Sequence, residues 1–246
     1  MITVIKINLE LPKANRTFNL GSILHGVIMD MLSKEMIEFL HTSSKYSPLK
    51  QRVLFRGEEI EWEIVLLNDE LSKQIQTYFI NNEKIVIKRH DLTLPIINYS
   101  VNKIDIQNLI DKHFSDDKPS KYIKLHVRTP MAFKSNGRYE IFPSTKMMYR
   151  STMLLFDAFF DEYQMHDHET LNYIQENVTI IDYNMKSTRF HLEGVKIPSF
   201  IGQMTLKIDG AKTFVQLINF LTEFGSLTGI GIKTSIGMGK YEIINK

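Results

Sequence analysis

The chain has 246 residues, of which 43% are hydrophobic and 24% charged, a composition typical of a globular protein with one or two domains. No stretch reaches the roughly 18 consecutive apolar residues of a membrane span, and we expect no membrane association. The absence of cysteine excludes disulfide scaffolds, thiolate nucleophiles and cysteine-based metal centres. The sequence starts with largely alternating polar and apolar residues instead of a signal peptide, which predicts a cytoplasmic protein.

The net charge of +2 is small, but the positive charge is concentrated in one segment. Residues 121–150 contain a single acid, Glu140, and seven bases, so their local charge is +6. The bases are Lys121, Lys124, Arg128, Lys134, Arg138, Lys146 and Arg150. A local basic face is typical of a protein that binds a polyanion, and we predict that these residues form one patch.

The first half of the chain predicts the order strand, helix, strand, strand, helix, strand. Ile5, Ile7 and Leu9 keep the period of two that is typical of a strand with one buried face. Between Gly21 and about Leu40, apolar residues recur mostly every three or four positions, as on an amphipathic helix. We predict strands over 2–11, 52–56, 60–67 and 84–90, and helices over 21–40 and 69–79. This βαββαβ order is that of a ferredoxin-like domain.

The second half repeats this order. We predict strands over 122–128, 178–191, 195–208 and 240–244, and helices over 145–163 and 212–224. Residues 93–120 contain two prolines and a Ser-Asp-Asp-Lys-Pro run, so we interpret them as a linker. The predicted fold class is α+β, with two tandem ferredoxin-like (βαββαβ) domains and a C-terminal glycine-rich loop. The N-terminal domain spans 1–92, and residues 93–246 form the linker and the C-terminal domain.

The glycine-rich loop holds five of the chain's twelve glycines within fifteen residues, from Gly225 to Gly239. It lacks the Gly-Lys-Ser/Thr of a Walker loop and the third glycine of a dinucleotide fingerprint. One interpretation is a loop whose backbone N–H groups approach a ligand, with Lys233 available to a phosphate. The alternative is a helix cap at Gly225 followed by a bulged entry into the last strand.

The last four of these glycines follow the spacing Gly-x-Gly-x5-Gly-x-Gly. They are Gly229, Gly231, Gly237 and Gly239. In a duplicated ferredoxin-like chain, this segment resembles that of the CRISPR-associated pre-crRNA processing endoribonucleases, in the repeat-associated RNA-binding superfamily. The resemblance covers nearly all of the chain, including the Leu-His-Gly-Val-Ile run at 24–28 and the Phe-Leu-His run at 39–41. It implies that the partner is CRISPR repeat RNA.

The family uses a histidine at or just after the end of the first helix for acid–base cleavage, and His41 is the matching position. RNA supplies its own nucleophile, the 2′-hydroxyl, so a base and an acid suffice and no metal is required. Lys45 or Lys50 would stabilise the phosphorane, with Tyr46 assisting. Alternatively, His41 only caps the helix. His25, near the other end of that helix, is either a second site histidine or a partly buried structural residue.

Arg128, Lys146 and Arg150 are the best candidates for RNA contacts outside the glycine-rich loop. The predicted helix 145–163 carries its cations early and its acids late, against the preference of the helix dipole. A phosphate bound at its start would offset that cost, although these residues are alternatively just solvated ends. The glycine-rich loop adds five candidate RNA contacts: Gly229, Gly231, Lys233, Gly237 and Gly239.

The leading hypothesis is a metal-independent endoribonuclease that cuts a CRISPR precursor transcript once per repeat. The resemblance implies products with 2′,3′-cyclic phosphate and 5′-hydroxyl ends. The alternative is a non-catalytic RNA-binding subunit of a CRISPR effector complex, and a third hypothesis is an unrelated interaction protein without RNA affinity. We expect no cofactor and no metal, and either a monomer or a homodimer.

Overall fold

The structure is a computed structural model that describes residues 1–10, 20–42, 46–56, 59–87, 90–192 and 194–244. It divides into two compact units. The N-terminal unit comprises Met1–Asp105 and Ser235–Gly237, and the C-terminal unit comprises Ile106–Thr234 and Met238–Lys246. Within the part of the chain that is described, no helix is long and apolar enough to cross a membrane.

The N-terminal unit has one five-stranded antiparallel sheet with helices connecting its strands. Its elements are β1 (Ile2–Leu9), α1 (Leu20–Met31), α2 (Lys34–Thr42), β2 (Leu49–Arg56), β3 (Glu59–Leu66), α3 (Asp69–Asn81), β4 (Lys84–Ile87) and β5 (Leu92–Ile104). The strand order is β2-β3-β1-β5-β4. β1 therefore lies between β3 and β5, the position of the first strand in a split βαββαβ unit.

The strand β5 lies in the segment that we predicted as a linker, and that prediction is wrong. β5 pairs with β1 from Ile2 opposite Ile104 to Leu9 opposite Ile96, and it completes the sheet. Most of its side chains are exposed, so it lacks the apolar alternation that identifies a strand, and Pro95 adds a loop signal. The strand predicted over 84–90 corresponds to β4, which is shorter than predicted and forms a hairpin with β5. Residues 88 and 89 lie outside the described residues.

The predicted helix 21–40 is two helices, α1 and α2. The break lies at Leu32 and Ser33, where the Leu32 N–H donates to the Met29 carbonyl and the Ser33 hydroxyl accepts from the Met36 N–H (3.2 Å). Ser33 therefore starts α2, since a serine side chain that accepts from the third residue onward is an N-cap. His41 belongs to α2, a helix of nine residues.

Buried Gln51 connects α1 to the sheet. Its amide nitrogen donates to the Gly21 carbonyl (2.6 Å), and its amide oxygen accepts from the Trp62 indole N–H (2.9 Å). A buried amide costs free energy unless it is hydrogen-bonded, and this one is bonded at both ends. The first turn of the helix that carries His25 is therefore fixed against β2 and β3.

The C-terminal unit has a second antiparallel sheet. Its elements are α4 (Ile106–Phe114), β6 (Tyr122–Met131), β7 (Phe133–Ser135), β8 (Arg138–Glu140), α5 (Thr145–Asp157), α6 (His168–Asn177), β9 (Val178–Leu192), β10 (Val195–Ile208), α7 (Lys212–Thr228), a 3-10 turn (Thr234–Ile236) that runs into the N-terminal unit, and β11 (Tyr241–Ile244). The strand order of its main sheet is β11-β6-β10-β9. The split βαββαβ arrangement thus occurs again, and the predicted fold class is confirmed.

Helices α5 and α7 lie on the same side of this sheet. The Tyr241 hydroxyl donates to the Thr222 carbonyl (2.6 Å), and the hydroxyls of Tyr149 and Thr222 are 2.9 Å apart. Tyr241 of β11 is paired with Val127 of β6, so both side chains point toward the helices. We call this side of the sheet the helix side.

Candidate active site and nucleic-acid interface

His41 is the second-last residue of α2, and its side chain is exposed. It lies in the last turn, where the unpaired carbonyls give the helix a partial negative charge that favours a cation. An exposed imidazole is accessible to a ligand and carries both a hydrogen-bond donor and an acceptor nitrogen. His41 therefore has the accessibility that an acid–base catalyst needs.

His25 of α1 is half-buried and lies within electrostatic range of His41. Burial lowers the pKa of His25, the main chain of Ser235 raises it, and the charge of His41 lowers it further. Its Nδ1 is shielded from solvent and, among the described residues, has no hydrogen-bond partner. The partial burial of the ring and its shielded Nδ1 match the structural alternative for His25 better than a direct acid–base role.

We call the glycine-rich loop from Gly225 to Gly239 the glycine segment. Its tip, Ser235–Gly237, belongs to the N-terminal unit and packs on the start of α1. A Cβ atom at Gly21 would lie 2.8 Å from the Ile236 carbonyl oxygen and 3.1 Å from the Gly237 Cα. Only a glycine in the first turn of α1 allows this approach. Sequence reasoning missed this role of Gly21, although a glycine directly before an amphipathic run is a visible signal.

Lys50 of β2 is 5% exposed. Burial and, to a smaller extent, the charge of Arg52 lower its pKa to about 8. Arg52 is itself buried and forms an ion pair with Glu63. Strongly shifted lysines occur at catalytic sites as well as in structural networks, so the role of Lys50 stays a prediction. Of the other two predicted residues, Tyr46 is half-buried and Lys45 lies outside the described residues.

The backbone of the glycine segment is already hydrogen-bonded within the protein. The donors and acceptors are Gly229 N–H to Gly225 O (2.8 Å), Gly231 N–H to Ser151 Oγ (3.0 Å) and Gly239 N–H to Pro130 O (3.0 Å). These N–H groups are therefore not available to a phosphate, contrary to the interpretation that they approach a ligand. Any RNA contact of these glycines would depend on the shape of the loop.

Two of these glycines are required by close backbone approach. A Cβ at Gly231 would lie 2.4 Å from the Ala132 carbonyl oxygen, and a Cβ at Gly239 would lie 2.1 Å from the Ile230 carbonyl oxygen. Both residues also have positive φ, +83° and +82°. Gly231 is thus required where the loop approaches Ala132, just after β6, and Gly239 where the loop approaches its own residue Ile230. Lys233 is exposed in the same loop, with φ +58°.

The predicted single basic patch is divided between the two sides of the C-terminal sheet, and that prediction is wrong. Arg128 lies away from the helices, where its side chain is 3.3 Å from His126 and 3.6 Å from Glu242. Lys146 and Arg150 belong to α5, on the helix side. The reason is the alternation of β6, which sends neighbouring side chains to opposite faces.

The helix α5 is shorter than the helix predicted over 145–163. α5 ends at Asp157, so Asp161 and Glu162 are outside the helix. Asp157 accepts hydrogen bonds from the N–H groups of Met165 (2.8 Å) and His166 (2.9 Å). The late acid therefore organises the loop after the helix. At the other end, Lys146 donates to Asn172 (3.1 Å), and Arg150 is exposed.

The segment His166-Asp167-His168 lies at the start of α6. Asp167 is the N-cap of α6, and its carboxylate accepts from the Thr170 N–H (2.8 Å). The rings of His166 and His168 are 6.0 Å apart. Within the described ranges, no three His, Asp or Glu side chains form a group that could hold a metal ion.

Comparison with known proteins gives consistent results. The family model for the CRISPR-associated endoribonuclease Cas6 matches residues 125–241. The chain is 31% identical over 219 residues to the CRISPR-associated endoribonuclease Cas6 of Streptococcus thermophilus, covering 87% of each chain. It is 26% identical over 232 residues to the Cas6 of Mycobacterium tuberculosis strain H37Rv, covering 93% of this chain and 73% of that one.

The fold is also that of solved Cas6 structures. Thermus thermophilus Cas6 in a product complex superposes with a TM-score of 0.82 at 16% identity, over 99% of this chain and 100% of that one. At this identity the likeness supports the fold alone, whereas the Streptococcus relative supports the family. The resemblance drawn from the sequence is confirmed: the chain belongs to the Cas6 family of CRISPR-associated endoribonucleases.

Proposed function

We propose that the protein cuts CRISPR precursor RNA within its repeats by attack of a 2′-hydroxyl on the adjacent phosphate. The P–O5′ bond breaks, and the products carry a 2′,3′-cyclic phosphate and a 5′-hydroxyl. No water enters this step and no metal ion is required for it. The observation that carries the proposal is the exposed imidazole of His41 at the end of α2, within electrostatic range of His25.

His41 is the proton-transfer group of this reaction. In its neutral form an imidazole accepts the proton of the 2′-hydroxyl, and in its protonated form it donates a proton to the leaving 5′-oxygen. His25, a residue of α1 that interacts with the main chain of Ser235, acts as a positioning residue.

Lys50 supplies positive charge to the phosphorane. With a pKa of about 8, it stays mostly protonated at pH 7. Its burial strengthens its interaction with a developing anion, because little water screens the charge. Lys45 and Tyr46 remain candidates for further contacts with the phosphate.

RNA binding is proposed to use the cations of the C-terminal unit. Lys146 and Arg150 on α5, Lys233 in the glycine segment, and Arg128 on the other side of the sheet are the predicted phosphate contacts. Gly229, Gly231, Gly237 and Gly239 shape the loop that carries Lys233. Phosphate contacts of this kind position the RNA, whereas single-stranded bases provide sequence recognition.

The test uses labelled repeat RNA and excess chelator. We expect cleavage to continue in chelator and to stop when the nucleotide before the cut carries a 2′-deoxy sugar, while that RNA still binds. The upstream product should resist phosphatase until acid opens its cyclic phosphate. Loss of cleavage on chelation would overturn the mechanism. Binding without any cleavage would favour the alternative, a non-catalytic RNA-binding subunit of an effector complex.

A further inference from the structure

An aromatic pocket lies on the C-terminal unit, outside the residues considered so far. Its volume is about 330 Å³. Its walls include Ile141, Phe142, Pro143, Tyr183, Met185 and Lys186. Ile141–Pro143 directly precede Ser144, the N-cap of α5, and the other three belong to β9. Tyr183 is paired with Met204, which is buried, so the pocket opens on the helix side of the sheet.

Two aromatic rings in this pocket are unusually exposed. Phe142 is 79% exposed and Tyr183 is 68% exposed. Phe142 lies in the short loop between β8 and α5, two residues before the N-cap Ser144, and Tyr183 is within the β9–β10 ladder. Both rings are largely uncovered by the described part of the chain. Exposed aromatic surface that the fold itself does not bury indicates a site for another molecule.

The charges around the pocket favour a polyanion. Lys186 lines it, and none of its described lining residues is acidic. Arg150 and Lys146 lie in the first two turns of α5, whose N-cap Ser144 directly follows the pocket wall. An apolar protein segment would gain nothing from these cations, whereas a nucleotide combines a flat base with a charged phosphate.

We propose that this pocket binds an unpaired nucleobase of the repeat RNA by stacking on Phe142 and Tyr183. The proposal rests on the proposed function, because it takes the RNA as the substrate. The base must be unpaired, since bases in a duplex are stacked on each other and their faces are not accessible. A pocket at the small end of the range for ligand sites suits a single base. Lys186 and Arg150 would take the phosphates on either side.

The experiment measures the affinity of repeat RNA in the His41→Ala background, so that the RNA stays intact. The first probe is repeat RNA from the protein's own CRISPR array with its single-stranded flanks. The second probe is the same RNA trimmed to its paired part. If the repeat has no paired part, the second probe instead carries abasic sites throughout the flanks. We expect Phe142→Ala and Tyr183→Ala each to weaken binding of the first probe roughly five- to a hundred-fold. The second probe should bind all proteins equally.

Further variants separate stacking from other roles. Phe142→Tyr keeps a flat ring and should bind like the parent, whereas Phe142→Leu should weaken binding like Phe142→Ala. Tyr122→Ala, which removes a 58% exposed aromatic ring from β6 outside the pocket, is the control and should have no effect. Placing one abasic site at a time along the flank should identify a position whose loss is not additive with Phe142→Ala.

Several results would overturn the inference. If the parent binds repeat RNA tightly and both alanine variants bind it equally well, the pocket does not hold a base, and the proposed function stands. If Phe142→Leu binds the first probe like the parent while Phe142→Ala does not, an apolar contact is sufficient and the ring does not stack on a base. If the parent itself does not bind repeat RNA, the proposed function fails and the inference fails with it. Unchanged melting temperatures in all variants exclude misfolding as the cause of weaker binding.

Discussion

The end of α2 and the glycine segment both led to the same family, but they differ in what they present to a ligand. His41 presents an exposed imidazole at the end of a short helix. The glycine segment presents little, since three of its N–H groups are hydrogen-bonded inside the protein and two of its Cα atoms lie against carbonyl oxygens. The glycine motif therefore marks a backbone shape, whereas His41 is the proposed site of the chemistry.

The difference follows from what each residue type can contribute. Histidine acts through its side chain, so it must be accessible. Glycine has no side chain and acts either by offering its N–H group or by allowing close packing. Because the N–H groups of Gly229, Gly231 and Gly239 are used, close packing is the role that the structure supports. A mutation at His41 should therefore affect catalysis, whereas a mutation at Gly231 should affect folding.

The largest effect is expected for His41→Ala. Cleavage should fall by about 10²- to 10⁴-fold, the usual contribution of a positioned acid–base group. RNA affinity should stay within about twofold, because an exposed imidazole on a helix end adds little to binding. Single-turnover cleavage and filter binding measure the two quantities. His191→Ala, an exposed histidine of β9, is the control. Equal losses of binding and cleavage would contradict a catalytic role.

The second-largest effect is expected for Lys50→Met, which should reduce cleavage by about 10²-fold. The same variant should be more stable than the wild type, although it is less active. The folded pKa of Lys50, about 8, lies below its unfolded value, so the unfolded chain binds more protons between these values. The free energy of unfolding of the wild type should therefore rise as the pH increases from about 8 to 10.

Lys50→Met should lose this pH dependence and, at pH 7, be more stable than the wild type by about 1–3 kcal/mol. Urea titrations across this pH range measure both. A variant that is more stable and less active shows that the lost activity does not come from unfolding. A variant that is less stable but equally active would assign Lys50 to the structural network of Arg52 and Glu63.

Gly231→Ala should destabilise the fold without a specific effect on chemistry. Its φ of +83° costs an alanine about 1–2 kcal/mol, and the Ala132 carbonyl must move to make room. Gly137→Ala is the matched control, with φ +78° and no atom within 4 Å of the added Cβ. We expect Gly231→Ala to lose about 1–3 kcal/mol more than Gly137→Ala in urea unfolding. Equal losses would show that the close approach is not limiting.

The smallest effect is expected for single cations on the C-terminal unit. Arg150→Ala should weaken RNA binding a few-fold and reduce the slope of log affinity against log salt by about one. Lys212→Ala is the control, because it also removes a cation from a helix start but that cation is paired with Asp117. Arg128→Ala should have less effect than Arg150→Ala, since Glu242 lies beside Arg128. The reverse order would place the RNA on the other side of the sheet.

The elements that sequence predicted well are those with a strong apolar pattern. Helix α7, predicted over 212–224, spans Lys212–Thr228, and the strands β9 and β10 match their predicted ranges to within one residue. α7 and β10 each bury one regular face, so their periodicity is readable, whereas β9 is mostly exposed. β5 was missed because its side chains are mostly exposed and its order comes from backbone pairing with β1.

The candidate active site could be predicted only in part from the sequence. The position of His41 at a helix end follows from the amphipathic pattern, but the break at Ser33 does not, since only a serine before Lys34 and Glu35 marks it. The proximity of His25, His41 and Ser235 involves residues nearly 200 positions apart along the chain, and no local pattern reveals such a contact. The same holds for Gly21 against Ile236.

The sequence by itself determined the duplicated α+β order, the family and the identity of its candidate histidine, because apolar periodicity and motif spacing are local properties. Only the tertiary structure decided which side of a sheet each basic residue occupies, which N–H groups of the glycine segment are already used, and that Lys50 is buried. These properties depend on neighbours distant in sequence, whose packing sets the accessibility, the hydrogen-bond partner and the proton affinity of every group in the site.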